Sequence, residues 1–195
     1  MSDKIRRTFL NMHNQFRSSL ARGLEYDKLI RGNAAKAAKM LKMVYDCKVE
    51  KSAMRNAIGC VYRHTQNYER PNLRENIYRI TDPKFDKRKA ARRACKLWWD
   101  ELKNNGVGRA NVITEQLWNR PGKMIGHYTQ MAWETTYKLG CAVTNCRRTH
   151  QTYVVCQYGP SGNYFNRQIY TKGNPCSKCP KNSKCDEEEG LCVIA

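Results

Sequence analysis

Ten cysteines in a chain of 195 residues constrain this fold more than any other feature of the sequence. An even number of cysteines at this density is typical of a disulfide-bonded protein from an oxidising compartment. Six of them lie between Cys47 and Cys156, and the other four fall within the last 20 residues. We therefore expect a secreted protein with one domain over 1–172, a cysteine-rich tail over 173–195, and every cysteine in a disulfide.

Two β-strands are predicted near the end of the main domain, at 139–145 and 152–158, because both stretches are rich in β-branched and apolar residues. Cys141 and Cys146 lie about 16 Å apart along the first strand direction, and their odd separation places them on opposite faces. They cannot bond to each other and must have different partners. Cys156 lies on the adjacent strand and can reach Cys141.

The tail has the spacing Cys176-x2-Cys179-x5-Cys185-x6-Cys192, which allows three disulfide connectivities. We favour Cys176–Cys185 with Cys179–Cys192. The alternative is a zinc site begun by Cys176 and Cys179. Oxidation of secreted thiols argues against that alternative.

Helical patterns precede the strands, and a short third strand is predicted at 77–80. Helices that flank a small antiparallel sheet indicate an α+β protein with a three-layer α/β/α sandwich. The helix over 86–104 has the clearest amphipathic pattern, with Asp86 as its N-cap and Gly106 as its stop. The other predicted helices cover 5–22, 34–45 and about 46–60, of which 34–45 is rich in good helix formers.

The predicted helix 86–104 carries an acid on its apolar stripe and a cluster of cations on its other faces. Ala90, Ala94 and Leu97 share one face with Glu101, and a buried acid requires a hydrogen-bonding partner. The cations form either a solvated face or an anion-binding surface. The cluster consists of Lys87, Arg88, Lys89, Arg92 and Arg93.

The whole chain has a formal net charge of +19, from 36 Lys and Arg against 17 Asp and Glu. Such a field favours anionic partners, namely heparin and other sulfated glycans, acidic receptors or lipid head groups, although it also serves solubility. Secretion argues against nucleic acid. No run approaches the roughly 20 apolar residues of a membrane span, and residues 1–10 lack a signal-peptide core, so we expect that a secretory signal was removed.

Two motifs near the predicted strands are specific in combination. The first, Gly126-His127-Tyr128-Thr129-Gln130-Met131-Ala132-Trp133, is aromatic-rich, and the second runs from Tyr153 through Cys156-Gln-Tyr158-Gly-Pro160 to Asn163. In this order they resemble the two signatures of the CAP superfamily of cysteine-rich secretory, antigen-5 and pathogenesis-related-1 proteins. One departure is Ala132, where the family usually has a branched aliphatic residue.

The resemblance implies a central cleft lined by two histidines and two glutamates, which are His64, Glu75, Glu101 and His127 in this sequence. It also explains the acid on the stripe of the helix. Two neutral imidazoles, His64 and His127, can bind one zinc ion weakly, with the glutamates orienting them. The alternatives are a purely structural His/Glu cluster and a hydrolase. No nucleophile can be assigned, so we expect no enzymatic activity.

The resemblance also favours two disulfides in the main domain. These are Cys141–Cys156, which the strand geometry allows, and Cys47–Cys146, which joins the sheet to a helix. Cys60 and Cys95 then remain for a third bridge.

Further motifs resemble the activation-associated secreted, or venom-allergen-like, proteins of parasitic nematodes. They are Met43-x-Tyr45-Asp46-Cys47, the pair Trp98-Trp99, and Pro175-Cys176-x-x-Cys179-Pro180. This group includes inhibitors of host platelet and neutrophil adhesion. The resemblance implies a secreted, non-enzymatic host-interaction protein that acts on a cell-surface receptor or adhesion protein. The alternatives are a sterol or fatty-acid carrier and, with less support, a metal-dependent hydrolase.

Overall fold

The computed structural model describes residues 1–194, which form two compact units. The first unit contains Met1–Met12, Met43–Leu97 and Lys138–Ser161. The second contains His13–Lys42, Trp98–Tyr137 and the described chain from Gly162 onward.

Six α-helices and eight strands are present in the described chain, together with one 3-10 turn at Asn67–Glu69. The helices are α1 (Asp3–Ala21), α2 (Cys47–Gly59), α3 (Lys87–Trp99), α4 (Glu101–Asn105), α5 (Glu115–Trp118) and α6 (Gly126–Ala132). The strands are β1 (Tyr26–Asp27), β2 (Gly32–Asn33), β3 (Val44–Tyr45), β4 (Arg74–Ile80), β5 (Lys138–Cys146), β6 (Gln151–Gly159), β7 (Ser183–Asp186) and β8 (Leu191–Ile194).

The first unit is built on a four-stranded mixed sheet with the strand order β3-β5-β6-β4. The three long strands are antiparallel, as predicted, but β3 adds a short parallel pair with β5 that the sequence did not reveal. Helix α2 packs against β5 and β6. Gly140 permits this close approach, because a side chain there would clash with the backbone of Val49 and Glu50.

Local sequence determines both ends of α2. The Asp46 carboxylate accepts hydrogen bonds from the backbone N–H groups of Lys48 and Val49, at 2.8 and 3.1 Å, which is the N-cap arrangement. The helix ends at Cys60, which adopts the left-handed conformation with φ 55°. The chain direction therefore changes immediately after α2.

The predicted helix over 34–45 is wrong, since this segment is extended. Its backbone bonds to the tail instead: Lys42 N–H donates to the Cys192 carbonyl and Cys192 N–H donates to the Met40 carbonyl, both at 2.8 Å. A similar bond joins Ala38 N–H to the Thr171 carbonyl at 2.8 Å. These non-local partners outweigh a helix propensity of a few tenths of a kcal/mol per residue.

Three of the predicted disulfides are confirmed: Cys141–Cys156, Cys176–Cys185 and Cys179–Cys192. In the tail, the sulfurs of Cys176, Cys179 and Cys192 lie within 4.8 Å of one another, but all three belong to disulfides. They are therefore not thiolate ligands for zinc.

The predicted pairs Cys47–Cys146 and Cys60–Cys95 are wrong, because Cys146 bonds to Cys60. Cys47 begins α2 and Cys60 follows its end, so the two lie roughly 20 Å apart along the helix axis, and Cys146 can reach only one of them. Cys47 is an exposed thiol and Cys95 a buried one, both outside the four disulfides. Burial raises the pKa of the Cys95 thiol.

The predicted helix 86–104 is present but divided at Asp100 into α3 and α4. The Asp86 carboxylate accepts from Lys89 N–H at 2.7 Å, as expected of an N-cap. Gly106 ends α4 at φ 71°, and a side chain there would collide with the backbone of Leu29. The division places Glu101 in the first turn of a new helix.

Candidate functional site

Glu75 forms a hydrogen-bonded cluster in the first unit, at the start of β4. Its carboxylate is buried, whereas the His64 side chain is 52% exposed. His64 Nδ1 lies 3.1 Å from Glu75 Oε1. The other bonds to the carboxylate come from Asn56 Nδ2 at 3.0 Å, Thr65 N at 3.0 Å, Thr65 Oγ1 at 3.1 Å and Gln157 Nε2 at 2.8 Å.

Burial alone would raise the pKa of Glu75, because a desolvated carboxylate favours its neutral form. The hydrogen bonds from His64, Gln157, Asn56 and Thr65 outweigh burial and lower this pKa below its ordinary value. Glu75 is therefore ionised at neutral pH and holds one ring nitrogen of His64.

Glu101 and His127 form a second pair in the other unit, between α4 and the first turn of α6. His127 Nδ1 lies 2.6 Å from Glu101 Oε1. Glu101 Oε2 also accepts the backbone N–H groups of His127 and Tyr128, both at 3.0 Å. The carboxylate therefore holds the N-terminus of α6, where the helix dipole favours negative charge. Trp98 stacks on the His127 ring, with centroids 5.9 Å apart.

All four residues of the predicted tetrad thus occur as two His–Glu pairs, one in each unit. In each pair a carboxylate contacts Nδ1, which favours the tautomer with a proton on Nδ1 and a lone pair on Nε2. Carboxylate-oriented imidazole is the usual arrangement of a zinc-binding histidine, so each pair fits the chemistry of this metal. The same bonds also stabilise the fold without any metal.

Sequence reasoning missed several groups around the two pairs. Asn56, Thr65 and Gln157 hold Glu75, and Trp98 orients His127. Of these, only Gln157 could have been found from the strand pairing, because it lies opposite Glu75 in the antiparallel register of β4 and β6.

The predicted cation cluster lies on α3 beside a groove of about 560 Å³ in the first unit. The first turns of α1 and α3 line this groove, and its cations are Lys4, Lys87, Arg88, Lys89 and Arg92. We call this the basic groove; Arg93 is exposed on the same helix.

The cations of the basic groove have no carboxylate within 4 Å among residues 1–194. Arg88 is half-buried and donates from Nε to Thr8 Oγ1 at 3.3 Å, which steadies its guanidinium. The one acid that lines the groove, Asp86, is occupied in capping α3. Lys4 was missed because nothing in the sequence links the start of α1 to α3.

Comparison with known proteins identifies the family of this chain. The chain belongs to the Cysteine-rich secretory protein family, CAP, whose profile matches residues 10–158. It is 62% identical over 192 residues to the Ancylostoma secreted protein of Ancylostoma caninum, which matches 98% of this chain. The chain spans only 45% of the length of that hookworm relative.

Solved structures confirm the predicted α+β fold, with a mixed central sheet flanked by helices. The crystal structure of Na-ASP-1 is 60% identical, with a TM-score of 0.95 over 98% of this chain and 47% of that one. The structure of NaASP2 with Zn²⁺ is 52% identical, with a TM-score of 0.91 over 98% of this chain and 96% of that one. The Hookworm Platelet Inhibitor is 29% identical, with a TM-score of 0.75 over 100% and 92% of the two chains.

The family assignment identifies this chain as a secreted protein, as its cysteines predicted. Across residues 1–194, no helix combines the length and apolar character needed to cross a bilayer.

Proposed function

We propose that this chain is a secreted, non-enzymatic protein through which a parasitic nematode acts on host cells. Its target would be a receptor or adhesion protein of platelets or immune cells. The similarity to a hookworm secreted protein and to a platelet inhibitor supports this proposal. The division into a domain over 1–172 and a tail over 173–195 remains part of it.

The basic groove is the observation that carries the proposal. Five cations surround a cavity of about 560 Å³ whose single acid is engaged in a helix cap. Unpaired cations repel one another, so an anion that enters the groove relieves this repulsion. Sulfate groups of heparin-like glycans on host cells carry the negative charge that such a groove would attract.

The lowered pKa of Glu75 argues against this carboxylate as a general base. A general base is most effective when its pKa lies near the working pH, and hydrogen bonds hold this carboxylate well below that range. Glu101 is likewise committed to three hydrogen bonds. Both carboxylates are placed to position histidines.

Charge reversal on α3 should weaken heparin binding strongly. The quadruple variant Arg88→Glu, Lys89→Glu, Arg92→Glu and Arg93→Glu reverses three cations of the groove and one exposed cation on the same helix. We expect elution from a heparin column at a much lower salt concentration, because exposed charges are screened over roughly 8–10 Å at physiological ionic strength.

The matched control moves the same charge change to exposed cations outside the groove, Lys178, Lys181, Lys184 and Arg147. If this control weakens heparin binding as much as the groove variant does, net charge alone is responsible and the groove has no special role.

Zinc binding is the second candidate, favoured by the carboxylate contact to Nδ1 in each His–Glu pair. His64 and His127 are each a proposed zinc ligand within their own unit, and the structure of one relative was solved with Zn²⁺. The carrier hypothesis has no comparable support, and mass spectrometry of co-purified sterol or fatty acid would test it.

The double substitution His64→Ala with His127→Ala should abolish zinc binding measured by calorimetry at pH 7.5. Because imidazole must be neutral to bind a metal, the affinity of the unaltered protein for zinc should also fall as the pH is lowered. The control is His150→Ala, an exposed histidine of the β5–β6 turn. Unchanged affinity in the double variant would place zinc elsewhere.

A further inference from the structure

A second exposed surface of the first unit combines apolar side chains with arginines, away from the residues of the basic groove. It lies where the end of α2 meets the β5–β6 turn. The Cys60–Cys146 disulfide joins these elements, and Gln151 Nε2 donates to the Cys60 carbonyl at 2.8 Å. We call it the arginine–tyrosine surface, and it consists of Ile58, Val61, Tyr62, Arg79, Arg147 and Arg148.

The apolar members of this surface are unusually exposed. Ile58 is 63%, Val61 53% and Tyr62 42% accessible to solvent. The left-handed conformation of Cys60 turns the chain between Ile58 and Val61, and the Cys60–Cys146 disulfide ties this turn to the end of β5. Grouped exposed apolar side chains mark interaction sites more often than single ones do.

Tyr62 is held in place before any partner arrives. The Arg79 guanidinium carbon lies 4.7 Å above the centroid of its ring. The ring of Tyr153 meets it edge-on, with centroids 5.8 Å apart. Because two contacts already orient the ring, little side-chain entropy remains to be lost on binding, which is the property of a rigid aromatic anchor.

All charged residues of the surface are positive, and all of them are arginines. The segments 51–68 and 138–184 contain no Asp or Glu, and the surface's three cations are all arginines. The acid nearest in sequence to Arg79 on its C-terminal side is Asp82. The basic groove, by contrast, is mostly lysine. Protein interfaces are enriched in Tyr and Arg and depleted in Lys, because the planar guanidinium loses little hydration and binds carboxylates in pairs of hydrogen bonds.

We propose that the arginine–tyrosine surface docks a protein partner through an acidic segment that places an apolar side chain between its carboxylates. The apolar side chain packs on Ile58, Val61 and Tyr62. The carboxylates pair with Arg147, Arg148 and Arg79. Charge complementarity selects an acidic segment, and the composition of the surface selects a protein over a lipid bilayer. This site is separate from the basic groove and does not require glycan binding.

The probe is a labelled 12-residue peptide with three Glu-Glu-Leu-Tyr repeats, followed by fluorescence anisotropy. A second peptide, with Ser in place of Leu and Tyr, keeps the charge and removes the apolar side chains. The double variant Val61→Ser with Tyr62→Ser changes no charge. It should lower the affinity for the first peptide at least tenfold and leave the weaker affinity for the second peptide unchanged. Arg147→Glu with Arg148→Glu should weaken both peptides.

Two controls separate this proposal from others. The groove variant of α3 should bind the first peptide with at most a threefold change, and Val61→Ser with Tyr62→Ser should elute from heparin like the unaltered protein. Equal affinity for both peptides would overturn the proposal, since charge alone would then explain binding. It would also be overturned if Val61→Ser with Tyr62→Ser lost binding only to phosphatidylserine vesicles, which would identify a membrane surface.

Discussion

Replacing Arg17 by methionine should lower the free energy of unfolding by about 3–5 kcal/mol, as expected when a buried charge network is broken. Arg17 is fully buried in the second unit. Within residues 1–194, none of its hydrogen bonds goes to a carboxylate. Its guanidinium donates instead to the backbone carbonyls of Leu41, Met131, Trp133, Glu134 and Thr136, at distances from 2.7 to 3.3 Å.

These carbonyls explain the size of the expected loss. The last carbonyls of α6 have no hydrogen-bond donor within the helix. Arg17 donates to carbonyls in this region, at Met131 and in the residues that follow the helix. Methionine fills similar space but has no N–H group, so all five carbonyls lose their charged donor. Burial lowers the pKa of Arg17 to about 9, so the side chain remains cationic at neutral pH.

Urea denaturation at pH 7 measures this effect, and Arg7→Met is the matched control. Arg7 lies on the same helix but is exposed, so its replacement should change stability by no more than about 0.5 kcal/mol. Arg17→Lys should lower the free energy of unfolding by an intermediate amount, because it keeps the charge and loses the several N–H donors of the planar guanidinium. A loss below about 1 kcal/mol for Arg17→Met would show that water replaces the guanidinium without cost.

Glu75→Gln should destabilise the protein by about 2–3 kcal/mol at pH 7, because the new amide group places N–H donors against existing donors. Asn56 Nδ2 and Gln157 Nε2 both donate to the same oxygen, Oε2, at 3.0 and 2.8 Å. Asn56 Nδ2 also donates to the Arg63 carbonyl at 3.2 Å, so this amide cannot turn without losing that bond.

The effect of Glu75→Gln should depend on pH in a defined direction. The folded-state pKa of Glu75 lies below its ordinary value of 4.5, so the carboxylate contributes stability that is complete above pH 4.5. As the pH falls through the folded-state pKa, this contribution is lost. The difference in unfolding free energy between the two proteins should therefore narrow as the pH falls from 6 to 3.

Glu115→Gln serves as the control. Because Glu115 is exposed, this substitution should change the free energy of unfolding only slightly at every pH. A gap for Glu75→Gln that stays the same size between pH 7 and pH 3 would contradict the ionised cluster, and would indicate a carboxyl group that is neutral throughout.

The parts of this molecule that sequence could predict are those with local causes. Asp46 and Asp86 have capping side chains, which indicate where helices begin. The apolar runs around Cys141 and Cys156 indicate two paired strands and the disulfide between them. The family motifs located all four residues of the His–Glu pairs. These signals depend on neighbours in sequence, or on strands joined by a short turn.

The parts that sequence could not predict depend on distant contacts. Segment 34–45 has the composition of a helix, but the tail offers its backbone better partners. The partner of Cys146 depends on which end of α2 faces the sheet, and spacing does not show this. The joining of Lys4 to α3 in the basic groove likewise requires the packing of two helices.

We propose that this protein acts on host cells through its basic groove and not through the His–Glu pairs. The direct test is inhibition of human platelet and neutrophil adhesion to immobilised matrix protein by three purified proteins: the unaltered chain, the groove variant of α3, and His64→Ala with His127→Ala. We predict equal inhibition by the first and third, and at least a tenfold weaker effect of the groove variant. Loss of inhibition in the histidine variant, with unchanged circular dichroism and melting, would contradict this account.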